Sequence, residues 1–161
     1  MRIHITLIAA SLAVALSGTA FGMGNDSSAP PAAKPAADPT FGRAKAMIEA
    51  KDYRGALPLL QQVVAKEPKN ADAYNLMGYA TRKSGDPNGS LQYYNYALTL
   101  DPKHLGANEY IGEAYLMLGD VAKAEEHLKR LDELCTFGCK EQAELKEQIE
   151  SYKRTGKMKS S

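Results

Sequence analysis

The sequence predicts an all-α fold: an α-solenoid of three tandem helix-turn-helix units closed by a C-terminal capping helix. The first observation behind this is an internal period. Asp52, Asp86 and Asp120 stand 34 residues apart, and the sets Ala56/Ser90/Ala124, Leu60/Tyr94/Leu128 and Val63/Ala97/Leu131 keep the same spacing. A fixed period of this length marks stacked helical repeats. The second observation is that each period holds two short amphipathic stretches, one on either side of its aspartate. The third is composition. A chain of 161 residues with 44% hydrophobic and 24% charged residues and no tryptophan fits one globular domain and is short for two well-packed ones.

Taken in order, residues 1–22 read as a cleaved signal peptide. Arg2 is a short positive start, Ile3 to Leu16 form an apolar stretch, and Ser17 to Gly22 offer small residues for cleavage after Ala20 or Gly22. The expected location is therefore exported, either periplasmic or secreted. No cysteine lies near the cleavage region, and no apolar run of about 20 residues follows it, so no membrane insertion is expected after signal removal. Residues 23–38, rich in proline and alanine, have almost nothing to bury and read as a disordered linker.

The helical domain is placed at 39–154, with units at 37–70, 71–104 and 105–138. Each shared aspartate falls where a second helix starts and can cap its free N–H groups. Gly85 and Gly119 precede two of these aspartates and suit a helix end that needs positive φ. Pro87 sits at a first helical position, and Pro68 and Pro102 close the first two units. Pro58 falls inside the second helix of unit one, where a bend or a late helix start is expected at a cost of about 3 kcal/mol. From 140 to 153, Leu145, Ile149 and Tyr152 share one face, and Lys146 stands where a further repeat would need a small residue. This stretch reads as a capping helix with a polar outer face, and 155–161 as a flexible tail.

The middle unit carries Tyr74, Met77, Gly78, Gly85-Asp86, Ser90, Tyr94, Ala97 and Pro102. The third carries Ile111, Gly112, Tyr115, Gly119-Asp120, Ala124, Leu128 and Leu131. The first is weaker: it has Ala44, Met47, Asp52-Tyr53, Ala56, Leu60 and Pro68, but Arg43 where a large apolar residue is preferred. In these positions the chain resembles the tetratricopeptide repeat (TPR) family, and in its ending the small exported bacterial members. The resemblance implies a right-handed solenoid whose concave wall, lined by the first helix of each unit, binds peptides or partner helices. By register that wall holds Phe41, Lys45, Ile48 and Glu49, then Asn75, Tyr79, Arg82 and Lys83, then Glu109, Glu113, Leu116 and Met117. A scaffold or adaptor for an unidentified protein or peptide partner is implied, with the chain a monomer or weak oligomer. So shallow a wall suggests micromolar affinity, roughly 8 kcal/mol. Arg82 and Glu113 could instead pair across units in solvent, worth at most about 1 kcal/mol. Some family members grip a terminal carboxylate with a basic and asparagine clamp. The matching positions here hold Phe41, Lys45, Leu76, Gly106 and Tyr110, so that clamp is not carried over. Tyr93 and Tyr96 offer a second surface, although ordinary helix packing is the leading account of them.

Cys135 and Cys139 occupy the place of a third Asp-Pro stop. Gly138 can reverse the chain between them, and in an oxidising compartment a disulfide tying the last unit to the cap is the leading reading, restricting the unfolded chain by about 2 kcal/mol. The rival is a thiol-redox or Cu(I)-handling pair. Otherwise the sequence calls for no cofactor, no metal and no catalytic group. It has no glycine-rich phosphate loop, no His-Glu-x-x-His helix and no serine with a visible His-Asp partnership. Glu141, Glu144, Glu147 and Glu150 read as a solvated face of the cap, and His104 and His127 as surface residues. A formal charge of +1 argues against nucleic acid, although an acidic third unit lies between basic neighbours.

Overall fold

The computed structural model describes residues 39–159. Expectations for the signal peptide and linker lie outside the described residues, as do residues 160 and 161. Among the described residues are seven α-helices: α1 (Pro39–Glu49), α2 (Tyr53–Lys66), α3 (Ala71–Lys83), α4 (Pro87–Leu100), α5 (Leu105–Met117), α6 (Val121–Leu134) and α7 (Lys140–Thr155). They pair in sequence as α1/α2, α3/α4 and α5/α6, and among the first helices α3 also touches both α1 and α5. Helix α7 packs on both α5 and α6, the place a first helix of a fourth unit would take.

The turns are built as their residues demand. Asp52, Asp86 and Asp120 each accept a hydrogen bond from the backbone N–H three residues on, at 3.0, 2.8 and 3.1 Å. Asn70 caps α3 in the same way at 2.9 Å. At α5 a histidine does the work. The His104 Nδ1 accepts from the Ala107 N–H at 3.1 Å, so Nε2 carries the hydrogen and donates to Asp72 at 3.0 Å. The residue before each aspartate adopts positive φ: Gly85 at 99°, Gly119 at 82°, and in unit one Lys51 at 62°. Unit one thus keeps the turn without the glycine.

Pro58 neither delays nor breaks α2, which starts directly after Asp52 and runs unbroken to Lys66. Pro58 and Arg54 are both exposed. The carbonyl that loses its partner therefore lies on the solvent side, where water can satisfy it.

Three apolar clusters run along the stack. Ala56, Leu60, Val63 and Met77 join units one and two, Tyr94, Ile111 and Ala114 join units two and three, and Leu116, Ala124, Leu131, Leu145 and Ile149 join unit three to α7. Close approach depends on two glycines. A Cβ on Gly78 would lie 2.5 Å from the Tyr94 ring of the same unit, and one on Gly112 would lie 2.7 Å from Leu145. The space beside Gly112 is therefore filled by α7, not by its own unit's second helix. His127 is half-buried, not a surface residue: its Nδ1–H donates to Asn108 Oδ1 at 3.1 Å, and its ring stacks on Tyr115. Cys135 ends α6 and Cys139 precedes α7. The chain reverses at Gly138 (φ 83°), and the two sulfurs are joined with the Cα atoms 5.6 Å apart.

Two substitutions of opposite sign test this packing. Lys51→Gly relieves a left-handed backbone that costs a side-chain-bearing residue about 1 kcal/mol, and urea denaturation should show a gain of that order. Gly78→Ala gains helix propensity but drives a methyl into a buried ring, and a net loss of about 1–3 kcal/mol is expected. Equal stability of Lys51→Gly and the parent chain would refute the strain assignment.

Candidate functional site: a cleft between α3, α5 and α7

The concave side holds a cleft of about 420 Å³ walled by α3, α5 and α7. Its floor is Arg82, which is 4% exposed. The guanidinium pairs with Glu113 on α5 at 2.6 Å, and its Nε donates to the Tyr94 hydroxyl on α4 at 3.3 Å. It also lies 5.5 Å from the centres of both the Tyr79 and Tyr110 rings. Burial opposes its charge, but Tyr94 and Glu113 outweigh burial and hold it protonated. Arg82 and Glu113 do pair across units, as a buried pair instead of a solvated one. Tyr79 and Tyr110 pack at 4.9 Å, and Tyr53 meets Tyr79 edge-on at 5.9 Å, so an aromatic strip follows the wall from unit one to unit three.

Glu109 is also 4% exposed, and burial, then the nearby Glu113, Glu144 and Glu141, push its carboxyl up to about 9. Part of that rise comes from Glu144 of α7, which can accept a hydrogen bond from the protonated Glu109 carboxyl. The rim carries Lys83 above Tyr79 on one side and Lys140, Glu144, Glu147 and Gln148 of α7 on the other.

Models of the tetratricopeptide repeat match residues 41–104 and 82–137. The chain belongs to the tetratricopeptide repeat family. Solved structures agree. MamA (from residue 41) of Desulfovibrio magneticus RS-1 is 28% identical over 59% of this chain, with a TM-score of 0.57. The chain spans only 54% of that protein's structure. SycD of Yersinia enterocolitica, a type III secretion chaperone in complex with a peptide of the translocator YopD, is 20% identical over 70% of this chain and 86% of its own, with a TM-score of 0.62. The first TPR of Spaghetti (RPAP3), bound to the HSP90 peptide SRMEEVD, is 16% identical over 72% and 91%, with a TM-score of 0.63. At such identities the last two similarities concern the fold.

Within this TPR domain the residues expected on the wall divide into three groups. Tyr79, Arg82, Lys83, Glu109 and Glu113 meet in the main cleft. Phe41, Lys45 and Asn75 border a smaller hollow between α1 and α3 with Asp72 and Leu76, and the buried Asn75 Oδ1 there has no protein partner. Ile48 packs into the first core cluster, Glu49 is exposed beyond the hollow, and Met117 is exposed at the far end of α5. Leu116 is not available to a partner: at 0% exposure it belongs to the core under α7. Of the second surface, Tyr93 packs on the first core cluster, while Tyr96 packs at a tilt against Tyr74 at 4.4 Å and stays half exposed.

Six contributors were missed: Tyr110, Lys140, Glu144, Glu147, Gln148 and Lys159. Carrying the repeat period through α7 finds three of them. Tyr110 and Glu144 continue the register of Leu76, and Glu147 continues that of Tyr79 and Glu113. Glu144 and Glu147 are largely solvated, as expected of the cap face, but they also line the cleft, because α7 stands as a fourth first helix with part of its polar side on the wall.

The buried carboxyl sets a pH dependence. Unfolded, Glu109 loses its proton near 4.5; folded, it keeps it to about 9. Between those values the folded chain binds the extra proton, so stability falls as pH rises, by up to about 1.4 kcal/mol per pH unit. His127 acts in the opposite sense: burial, then Arg130, lower its imidazole to about 4, so stability is lost as pH falls from 6.5 toward 4. The two slopes oppose each other below 6.5, and of the two only Glu109 acts above. Thermal melts of Glu109→Gln across a pH series should lose the decline between about 6.5 and 9. A decline as steep as in the parent chain would remove Glu109 as its source.

Proposed function

We propose that this TPR domain is a scaffold or adaptor of the cell envelope that holds an extended segment of a partner protein in the cleft between α3, α5 and α7. The observation that carries this is the lining itself: two adjacent tyrosine rings over a fixed guanidinium, with a lysine on one rim and carboxylates and an amide on the other. Rings of this kind anchor partner side chains at low entropy cost. Charges of both signs and an amide on the rim suit an extended chain read through backbone and side chains together. Structural neighbours seat peptides on the same fold, one from a translocator and one from HSP90. The envelope location rests on the leader-like residues 1–22.

Because Arg82 and Glu109 are buried, rim and ring residues are the informative targets. Tyr79→Ala combined with Lys83→Glu should leave the fold intact by circular dichroism. It should also release, at least tenfold, whatever envelope protein the parent chain retains at micromolar concentration. Retention at parental strength would move the site off this face. Recovery from the periplasmic fraction of a chain beginning at Phe21 or Met23 would support export, whereas an intact Met1 in the cytoplasm would oppose it.

The competing redox or Cu(I) reading needs two available thiolates at Cys135 and Cys139. A thiol count on denatured, unreduced protein separates the readings. A structural bridge gives no reactive thiol before reductant and two after it; two before it would sink the bridge.

A further inference from the structure

The segment after α7, expected as a flexible tail, returns to the cleft. Gly156 at φ 69° ends α7 and reverses the chain. The carbonyl of Lys157 accepts from the hydroxyls of Ser151 and Thr155. Met158 packs onto the cluster of Leu116, Leu145 and Ile149 beside Tyr152. The Gln148 side-chain amide then brackets the backbone of Lys159: the Lys159 N–H donates to Oε1 at 2.8 Å, and Nε2 donates to the Lys159 carbonyl at 3.4 Å. The Lys159 ammonium pairs with Glu147 at 2.5 Å and lines the main cleft.

We propose that Lys157–Lys159 is a resident pseudo-ligand, and that the α7 side of the cleft recognises an extended partner segment carrying an apolar residue followed by a lysine. This rests on the cleft being the binding face. An amide that donates and accepts on one residue's main chain reads extended backbone whatever the side chain, as an added strand would. Glu147, with Glu144 one turn away, then selects a cation, and the surface that takes Met158 selects the preceding apolar side chain. Basic residues on the returning segment against carboxylates on α7 supply the charge complementarity. The contacts that hold the segment are exposed and individually weak, since both partners of the Lys159–Glu147 pair are more than half exposed. Tethering offsets this weakness. A segment a few residues from its site has a millimolar effective concentration, so with an intrinsic Kd of about 100 μM it lowers apparent partner affinity roughly tenfold.

The test uses a fluorescein-labelled peptide Gly-Lys-Met-Lys-Ser-Ser, the sequence of residues 156–161, and anisotropy on full-length chains. Met158→Ser with Lys159→Glu vacates the site and should bind the probe about tenfold more tightly than the parent chain. Lys159→Glu alone, which leaves the apolar contact in place, should act in the same direction. Adding Gln148→Ala or Glu147→Lys to the vacated chain should abolish binding, and a probe with its second lysine replaced by glutamate should not bind. Equal affinity for parent and vacated chains, no binding to the vacated chain at millimolar probe, or indifference to Gln148→Ala would each overturn the proposal. If Tyr79→Ala with Lys83→Glu still releases a partner, such a failure leaves the cleft as the binding face and makes the segment only a cover for Leu116 and Tyr152. If neither experiment responds, both readings fall.

Discussion

The burial of Arg82 is the constraint around which the rest is arranged. A guanidinium taken out of water is tolerable only if its charge and its donors are met. Here they are met from two neighbouring helices: Arg82, on α3, pairs with Glu113 on α5 and donates to Tyr94 on α4. Tyr94 fills the space that Gly78 leaves open, and Tyr79 and Tyr110 close over the guanidinium from the cleft. Removing Arg82 or Glu113 strands the other, at a cost of about 3–5 kcal/mol for a broken buried pair. That is a large share of the ~5–15 kcal/mol that holds a domain together. The junction between units two and three and the floor of the cleft are thus one structure, so the cleft is preformed and little ordering is needed when a partner binds.

How much of this was legible in the sequence follows from what a period encodes. The period gives phase. It located the capping aspartates, the glycine turns, the stacked pairs and the direction in which Tyr79, Arg82 and Glu113 point. Depth is a different quantity, set by what neighbouring helices cover. Leu116 shares the phase of the wall but lies under α7, and Glu109, an ordinary polar residue by type, is sealed by Glu144 and its neighbours. His127 reads by type as a surface residue, yet Asn108 satisfies one of its ring nitrogens inside the stack. The wall of α7 is hidden for a related reason: Lys146 departs from the repeat, yet Leu145 continues the packing by filling the space beside Gly112.

The left-handed turn of unit one shows the limit in backbone terms. Gly85 and Gly119 announce their turns because glycine occupies positive φ without strain. Lys51 does not announce its turn, since no composition rule selects lysine there, and only the shared spacing with the two glycines points to it. The turn is closed locally: the Lys51 N–H donates to the Ile48 carbonyl at 2.9 Å and the Asp52 N–H to the Met47 carbonyl at 2.8 Å, as the Asp86 and Asp120 N–H groups do to Thr81 and Tyr115 in the other units.

The charges of the cleft form a gradient of exchangeability. At the floor, Glu113 is committed to Arg82, and Glu109 is neutral below about pH 9. Neither presents a charge that a partner could claim without breaking the fold. At the rim, Glu144 and Glu147 face Lys140 at 3.6 Å and Lys159 at 2.5 Å through largely exposed side chains. Such pairs contribute about 0–1 kcal/mol each and reform readily with another cation. An incoming lysine that replaces Lys159 therefore loses almost nothing in the exchange, whereas one directed at Glu113 would have to displace a buried guanidinium. If the proposed cleft is the binding face, discrimination between partners would therefore reside on α7, the helix whose sequence departs furthest from the repeat, with α3 and α5 supplying the floor.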